Sequence, residues 1–154
     1  MIIYRFSHKK YAHDISGTGA KLKAGRWNTV GIPVVYTSEH ISLCLLEILV
    51  NTGTLDQLQS IQLMEIEIPD AVVSIHEIRA AKLKKDWFND FDYTQFLGAE
   101  ILKSKKSLLI KCPSAVIHQE HNYLLNPEHP DFKKVKLRTA DDFLFDERLF
   151  KTGK

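Results

Sequence analysis

The sequence predicts an α+β fold in a single compact domain, and three observations support this class. The chain has 154 residues, which is enough for one domain with a substantial core and too few for two ordinary domains. Strand-like segments dominate both ends, whereas only two segments carry a helical pattern. The regular alternation of strands and helices that builds a doubly wound parallel sheet is missing. We therefore expect residues 1–154 to form one domain, with a few helices flanking a sheet.

The strands are predicted by their β-branched content and by alternation of apolar and polar residues. The clearest is IQLMEIEIP (61–69), in which Met64 and Ile66 lie on one side while Glu65 and Glu67 lie on the other. The remaining candidates are IIYRF (2–6), IPVVYTS (32–38), VVSIHEI (72–78), SLLIKCPSAVI (107–117, interrupted at Pro113) and KKVKLRTADDF (133–143).

Two helices are predicted by apolar spacing, one from about Glu39 to Val50 and one over residues 93–106. We expect Thr37 or Ser38 to cap the first of them, because short hydroxyl side chains favour that position. Residues 13–31 contain four glycines and few large apolar side chains, which predicts a long loop with turns.

The composition argues against several classes of protein. A formal net charge of +2 gives no sign of a nucleic-acid or membrane-surface protein. The two cysteines, Cys44 and Cys112, form no C-x-x-C motif, so a reducing cytosol fits better than a secreted disulfide scaffold. The N-terminal segment does not resemble a leader, and every apolar run is far shorter than the roughly 20 residues needed to span a bilayer. We expect a soluble, cytoplasmic protein without membrane association.

An isolated carboxylate in the first predicted helix is the most informative single residue. The segment ISLCLLEILV (41–50) carries Glu47, although seven of its ten positions are Ile, Leu or Val. Burying an ionised carboxylate costs several kcal/mol unless the group is paired or hydrogen-bonded. Two interpretations are open: a structural ion pair or exposed helix rim, and a carboxylate held in a cleft where positive charge develops during a reaction.

Cationic and phenolic side chains accompany this acid. Arg26 lies in the glycine-flanked segment AGRWNTVG (24–31), and a guanidinium on a loop suits phosphate or carboxylate. Tyr36 ends the next strand, and Arg5 on the first strand would need an anion if it pointed inward. Each arginine alone fits an ordinary surface residue. Together with Glu47, the set suits an anionic ligand that carries a sugar.

The segment after Cys112 holds a further candidate, Ser114. It follows a proline near a strand break, where a hydroxyl can face a cleft, and either a polar clamp or a structural turn serine fits. The G-x-S-x-G frame of a hydrolase nucleophile is missing. His118 and His121 have H-x-x-H spacing, but H-E-x-x-H does not occur, so we expect no metal site.

The lysine clusters KSKK (103–106) and KKVK (133–136) have no interleaved aromatic residues. This pattern favours solvated faces or partner-facing patches over a stacking surface for nucleic acid. A nucleic-acid-acting protein stays an alternative, and it would show steeply salt-dependent binding to RNA or DNA.

In combination these motifs resemble one family. Tyr36 follows Arg26 by ten residues, and Glu47 follows Tyr36 by eleven. The other matching segments are YRF (4–6), G-R-W-N (25–28), P-S-A (113–115), N-Y-L-L-N-P-x-H-P (122–130) and FDERLF (145–150). From about Tyr4 to Phe150 the chain resembles the RES domain family, the toxins of RES–Xre toxin–antitoxin systems.

The resemblance implies a fold and an activity. RES proteins resemble ADP-ribosyltransferases, which implies a split β-sheet core with a few flanking helices. They deplete NAD by cleaving its nicotinamide–ribose bond, so NAD is a substrate, no cofactor is implied, and water or inorganic phosphate would be the acceptor. The implied catalytic residues are Arg26, Tyr36, Glu47 and Ser114, and the implied substrate-binding residues are Arg5, Arg26, Tyr36 and Asn122.

The resemblance also assigns roles to these residues. Arg5 and Arg26 would hold the phosphates or ribose of NAD, and Tyr36 would stack on or orient the nicotinamide. Glu47 would act at the nicotinamide ribose and Ser114 would position the substrate. Asn122 would line the pocket.

Partners also follow from the resemblance alone. It implies an Xre-family antitoxin with a helix-turn-helix part, and DNA contact only through that antitoxin; a homodimer is left open. The acceptor is open as well, because the same fold serves protein mono-ADP-ribosyltransferases. A transferred label from NAD on a protein would identify that alternative.

Overall fold

A mixed β-sheet dominates the computed structural model, which describes residues 1–150. Within these residues the sheet has seven strands in the order β4-β5-β6-β2-β1-β3-β7. β4 and β5 pair in parallel and every other pairing is antiparallel. The strands are β1 (Ile2–His8), β2 (Val35–Ser38), β3 (Ile61–Glu67), β4 (Ile75–Glu77), β5 (Leu109–Pro113), β6 (His121–Leu125) and β7 (Lys136–Asp142).

Three α-helices flank this sheet in the described part of the chain. They are α1 (Thr18–Lys23), α2 (Ile41–Val50) and α3 (Phe91–Ser104). None of the helices in residues 1–150 is long and apolar enough to cross a membrane. A mostly antiparallel sheet with few helices and one parallel crossover, β4–α3–β5, confirms the predicted α+β class.

The sheet is nearly divided between β1 and β2. β1 pairs with β3 through seven residue pairs, from Ile2 with Glu67 to His8 with Ile61. On its other side β1 meets β2 at one pair, Tyr4 with Ser38. We call this junction the seam. It separates β4-β5-β6-β2 from β1-β3-β7 and agrees with the split sheet that the family resemblance implies.

The core fills both faces of the central strands. Leu109 and Leu125 pack with Ile3 on one face, whereas Ile110 and Leu124 pack on the other face against residues of α3. All five side chains are fully buried. Strands that are buried on both faces lose apolar–polar alternation and read as continuous apolar runs.

The helix α2 closes the sheet near the seam. Cys44 on this helix and Phe6 on β1 belong to one apolar cluster. The opposite face of α2 is formed by Ser42, Leu46 and Val50, all exposed, so the outer surface of this helix is largely apolar.

The structure corrects several sequence-based boundaries. The strand β6 was not predicted, because HNYLL shows no alternation and lies between turn-forming residues. The predicted loop over residues 13–31 contains the six-residue helix α1, which begins after Gly17 in a left-handed conformation (φ 76°). The prediction of a capping Thr37 or Ser38 was wrong: His40 occupies the N-cap of α2 and its side chain makes no capping hydrogen bond.

Candidate active site

A cleft of about 550 Å³ opens at the seam. Its walls come from β1, β2, α2, α1 with the turn after it, the start of α3, and the β5–β6 connection with the start of β6. The lining includes five residues that the sequence singled out: Arg5, Arg26, Tyr36, Glu47 and Asn122. The structure thus brings these five together, although they are spread over most of the chain.

The carboxylate of Glu47 is fixed through one of its two oxygens. Oε1 accepts hydrogen bonds from the Ser114 hydroxyl at 2.7 Å and from the Asn122 side-chain amide at 2.6 Å. In residues 1–150 no hydrogen bond reaches Oε2, and no lysine or arginine pairs with this acid. Neutral donors therefore hold the carboxylate and leave Oε2 available in the cleft. Of the two interpretations of Glu47, this geometry supports the cleft carboxylate rather than the structural ion pair.

Ser114 lies beneath Glu47 and does not reach the cleft surface. Its side chain is fully buried, and its oxygen accepts backbone hydrogen bonds from Val116 at 3.0 Å and Ile117 at 3.1 Å. Because both amides donate to this oxygen, its own proton is directed to Glu47. The hydroxyl thus contacts the carboxylate, and the substrate-positioning role that the family resemblance implies for Ser114 stays a prediction.

The register of β6 explains how distant residues meet at Glu47. Asn122 pairs with Cys112 on β5 and with Ser38 on β2. The Ser38 hydroxyl donates to Asn122 Oδ1 at 2.7 Å, which turns the amide nitrogen toward Glu47. Sequence reasoning missed Ser38 as a site residue, since the contact spans 84 positions and has no local signal.

Arg26 lies in a tight turn that Tyr36 closes. Gly25 and Asn28 form an isolated antiparallel bridge around the arginine. The Tyr36 hydroxyl donates to Asn28 Oδ1 at 2.7 Å and accepts from the backbone N–H of Trp27 at 3.0 Å. A Cβ on Gly25 would lie 2.6 Å from the Tyr36 hydroxyl, so the turn needs glycine there.

Tyr36 thus has a structural role as well as a place in the cleft wall. Burial raises the pKa of its phenol well above the ordinary value, so the hydroxyl is protonated at neutral pH. The proton is committed to Asn28 and the ring contributes the surface that faces the cleft.

Arg5 spans the seam. Its Nη1 donates to the backbone carbonyl of Tyr36 at 2.9 Å, across the line where β1 and β2 no longer pair. Burial lowers the pKa of this guanidinium from its usual range, with smaller opposing effects from Cys44 and Asp14. An arginine stays charged under these conditions, so Arg5 adds a positive charge to the cleft wall.

Neither cleft arginine has a carboxylate partner in the described residues. Arg26 Nη1 donates to the backbone carbonyl of Phe88 at 2.6 Å, and its guanidinium lies 4.5 Å from the centre of the Phe91 ring. Burial lowers its pKa, and the negative charge of Glu47 acts in the opposite direction. Sequence reasoning missed Phe88 and Phe91; the aromatic segment WFNDF was the signal that could have indicated them.

The histidines that resembled metal ligands are used elsewhere. His118 packs its ring against Phe88 at 4.8 Å, and His121 lies 4.0 Å from the Glu39 carboxylate. A further histidine, His129, accepts a hydrogen bond from the backbone N–H of Asp131. Among residues 1–150 there is no group of three or more His, Cys, Asp or Glu side chains placed to hold a metal ion.

Fold and site together define a split-sheet α+β protein whose cleft holds one acid and two arginines. The RES domain model matches residues 2–146 of the chain. A Toxin Res from Photorhabdus laumondii is 37% identical over 158 residues, covering all of both chains. A second Toxin Res, from Pseudomonas putida, is 36% identical over 152 residues, or 97% of this chain and 100% of that one.

A third relative is the Prs ADP-ribosylating toxin from Sphingobium sp., which is 34% identical over 143 residues (91% of this chain and 89% of the relative). The fold is similar to the crystal structure of the M. tuberculosis MbcT–MbcA toxin–antitoxin complex. That match has a TM-score of 0.73 and 20% identity, and it covers 92% of this chain and 83% of the other. The chain therefore belongs to the RES domain family, and it is a toxin of that family.

Proposed function

We propose that this toxin binds NAD in the cleft and cleaves the bond between nicotinamide and its ribose. The observation that supports the proposal is how Glu47 and the two cleft arginines are hydrogen-bonded and paired. Glu47 is fixed through Oε1 while Oε2 is available, and in the described residues both cleft arginines lack a carboxylate partner. Such a site suits a ligand that is anionic at one end and becomes cationic at the other during reaction.

The chemistry of the bond explains the need for a fixed acid. Nicotinamide is cationic in NAD and departs neutral, so strong general-acid assistance is unnecessary. The ribose left behind is oxocarbenium-like, as in glycoside cleavage. A preorganised carboxylate stabilises this developing charge more than the ground state, which lowers the barrier. Oε2 of Glu47 supplies this charge, and Ser114 and Asn122 prevent the carboxylate from rotating.

The arginines act away from the broken bond. Guanidinium groups bind phosphate oxygens through parallel N–H donors, which suits the pyrophosphate of NAD. The cleft volume of about 550 Å³ lies within the range of small-molecule sites, about 300–1,000 Å³. Binding energy from the pyrophosphate holds the ribose in register with Glu47, and the Tyr36 ring orients the nicotinamide.

The first experiment compares NAD loss by the purified protein and by Glu47→Gln. We expect the substitution to lower the rate by about 10²- to 10³-fold, because it removes one preorganised electrostatic group. The matched control is Glu67→Gln, an exposed acid on β3 outside the cleft, with unchanged activity expected. Full NAD consumption by a folded Glu47→Gln protein would refute the role of this carboxylate.

The acceptor defines two candidate activities. Water or inorganic phosphate gives an NAD glycohydrolase or phosphorylase. A protein acceptor gives a mono-ADP-ribosyltransferase, which the relative named an ADP-ribosylating toxin favours. Incubation with labelled NAD, with and without phosphate, separates these outcomes: free ADP-ribose or its phosphorylated form supports the first, and label on a protein supports the second.

An antitoxin partner is part of the proposal, supported by the similarity to a toxin–antitoxin complex. We propose a cognate Xre-like antitoxin that covers the cleft and carries the DNA-binding part of the pair. Adding the antitoxin should stop NAD loss at a one-to-one ratio of cleft to inhibitor. Unchanged NAD loss in a stable complex would show that the partner binds elsewhere.

A further inference from the structure

Arg26 is held by aromatic rings and a carbonyl oxygen, whereas a partly buried arginine is ordinarily paired with a carboxylate. Its Nη1 donates to the Phe88 carbonyl, and the guanidinium lies over the rings of Phe91 at 4.5 Å and Trp87 at 5.9 Å. The Phe91 ring lines the cleft and is 49% exposed. The arginine is therefore fixed by groups that carry no net charge.

The Phe91 contact is one of three that a single face of α3 makes with the turn carrying Arg26. Phe91, Gln95 and Gly98 have the i, i+4, i+7 spacing that places side chains on the same helix face. Gln95 Nε2 donates to the Gly25 carbonyl at 2.8 Å. A Cβ on Gly98 would lie 1.9 Å from the Trp27 carbonyl oxygen, so glycine lets the helix contact the turn directly. The three residues hold the turn on both sides of Arg26.

An aromatic ring beside Arg26 affects ligand binding differently from a carboxylate in the same place. A carboxylate beside Arg26 would neutralise its charge and compete with an incoming anion. A ring attracts the cation through its quadrupole while leaving the charge uncompensated. The guanidinium is thus ordered before the ligand arrives, which reduces the entropy lost on binding.

We propose that Phe91 is a positioning residue for Arg26, holding the guanidinium where it binds the substrate's pyrophosphate. The inference rests on the proposed NAD-cleaving function and deepens it, because it names the group that prepares the anion subsite. Phe91 acts through Arg26 and takes no part in bond cleavage. Its loss therefore weakens binding and leaves the chemical step almost unchanged.

The test measures KM and kcat for NAD in Phe91→Leu, which keeps an apolar side chain but removes the ring. We expect KM to rise about 2- to 30-fold, the range that one cation–π contact supports, with kcat within about twofold. Phe91→Trp should restore KM, since indole is the best ring for this contact. The matched control is Phe96→Leu, on the same helix, 69% exposed and outside the cleft, with both constants unchanged.

A second measurement does not depend on turnover. Calorimetry gives the Kd of ADP-ribose for Glu47→Gln with and without Phe91→Leu, and we expect the same 2- to 30-fold weakening. A wild-type protein that consumes no NAD overturns the proposed function itself. An active wild type with an unchanged KM in Phe91→Leu, or a larger KM in Phe91→Trp than in Phe91→Leu, overturns only the role of Phe91.

Discussion

Replacing Ser114 by alanine tests whether this serine works through Glu47. The hydroxyl makes three hydrogen bonds: it donates to Glu47 and accepts from the backbone of Val116 and Ile117. A hydrogen bond to a charged group contributes about 1.5–3 kcal/mol, and each buried donor left unpaired costs about 1–3 kcal/mol. Val116 and Ile117 are only partly buried, so water offsets part of this cost, and we expect a loss of about 2–4 kcal/mol in unfolding free energy.

The effect on catalysis follows from geometry. Without Ser114, Asn122 is the one remaining donor to Oε1 in the described residues, and the carboxylate gains freedom to rotate. Misplacement of a catalytic group by about 1 Å costs on the order of 10²-fold in rate, so kcat should fall by about that factor. Ser42→Ala, at an exposed position on α2, is the control for adding an alanine near the site.

A double-mutant cycle makes this test decisive. Activity and chemical unfolding are measured for Ser114→Ala, for Glu47→Ala and for the double variant, at a temperature where circular dichroism shows all of them folded. If the serine acts through the carboxylate, the double variant has the residual activity of Glu47→Ala alone. A further tenfold loss in the double variant would mean that the Ser114 hydroxyl contacts the substrate directly, and the positioning argument would be refuted.

Two predictions concern stability. Gly98→Ala should lower the unfolding free energy by about 3 kcal/mol or more, because the new Cβ meets the Trp27 carbonyl oxygen at 1.9 Å. That loss corresponds to a fall of about 6–12 °C in Tm for a chain of this size. The control is Gly19→Ala, whose new Cβ meets nothing within 4 Å and should leave Tm unchanged or slightly raised. Equal Tm values for the two variants would contradict the packing described. Burial raises the pKa of Cys44 from 9.0 to about 11, so the thiol's contribution to stability is full below pH 9 and is lost as pH rises through 11. Urea titrations should show the stability difference between wild type and Cys44→Ala falling by about 1.4 kcal/mol by pH 10, and a difference independent of pH would contradict a buried neutral thiol.

Sequence patterns predict a strand or helix most reliably when one of its faces is exposed to solvent. The strand β3 alternates along its length: Met64 and Ile66 are buried, and Glu67 is exposed, as predicted. The strand β6 has no wet face, so period-two reasoning fails there although β6 is central to the sheet. The helix α1 was missed because Gly17 and Gly19 indicated turns.

In the site, too, the sequence predicts features that depend on neighbouring residues and misses contacts between residues far apart in the chain. Glu47 was identified because an acid in an apolar helix is unfavourable without partners, which is a property of ten adjacent residues. Its partners lie 67 and 75 positions away, and only the register of β5 and β6 brings Ser114 and Asn122 to it. The contacts of Arg26 are similarly distant, since the Phe88 carbonyl that accepts its hydrogen bond lies 62 positions along the chain.

The seam gives the cleft an unusual dependence on one side chain. If β1 and β2 were paired along their whole length, the cleft would be closed. If they were simply separated, the backbone carbonyl of Tyr36 would lack a donor. The Arg5 guanidinium lies between the two strands and donates to that carbonyl, so it bridges the two halves of the sheet while the cleft stays open. An anion that drew Arg5 toward itself would break the hydrogen bond from Arg5 to the Tyr36 carbonyl, and its own binding energy would have to offset that loss. Ligand binding in the cleft and the stability of the β1–β2 junction are therefore thermodynamically linked.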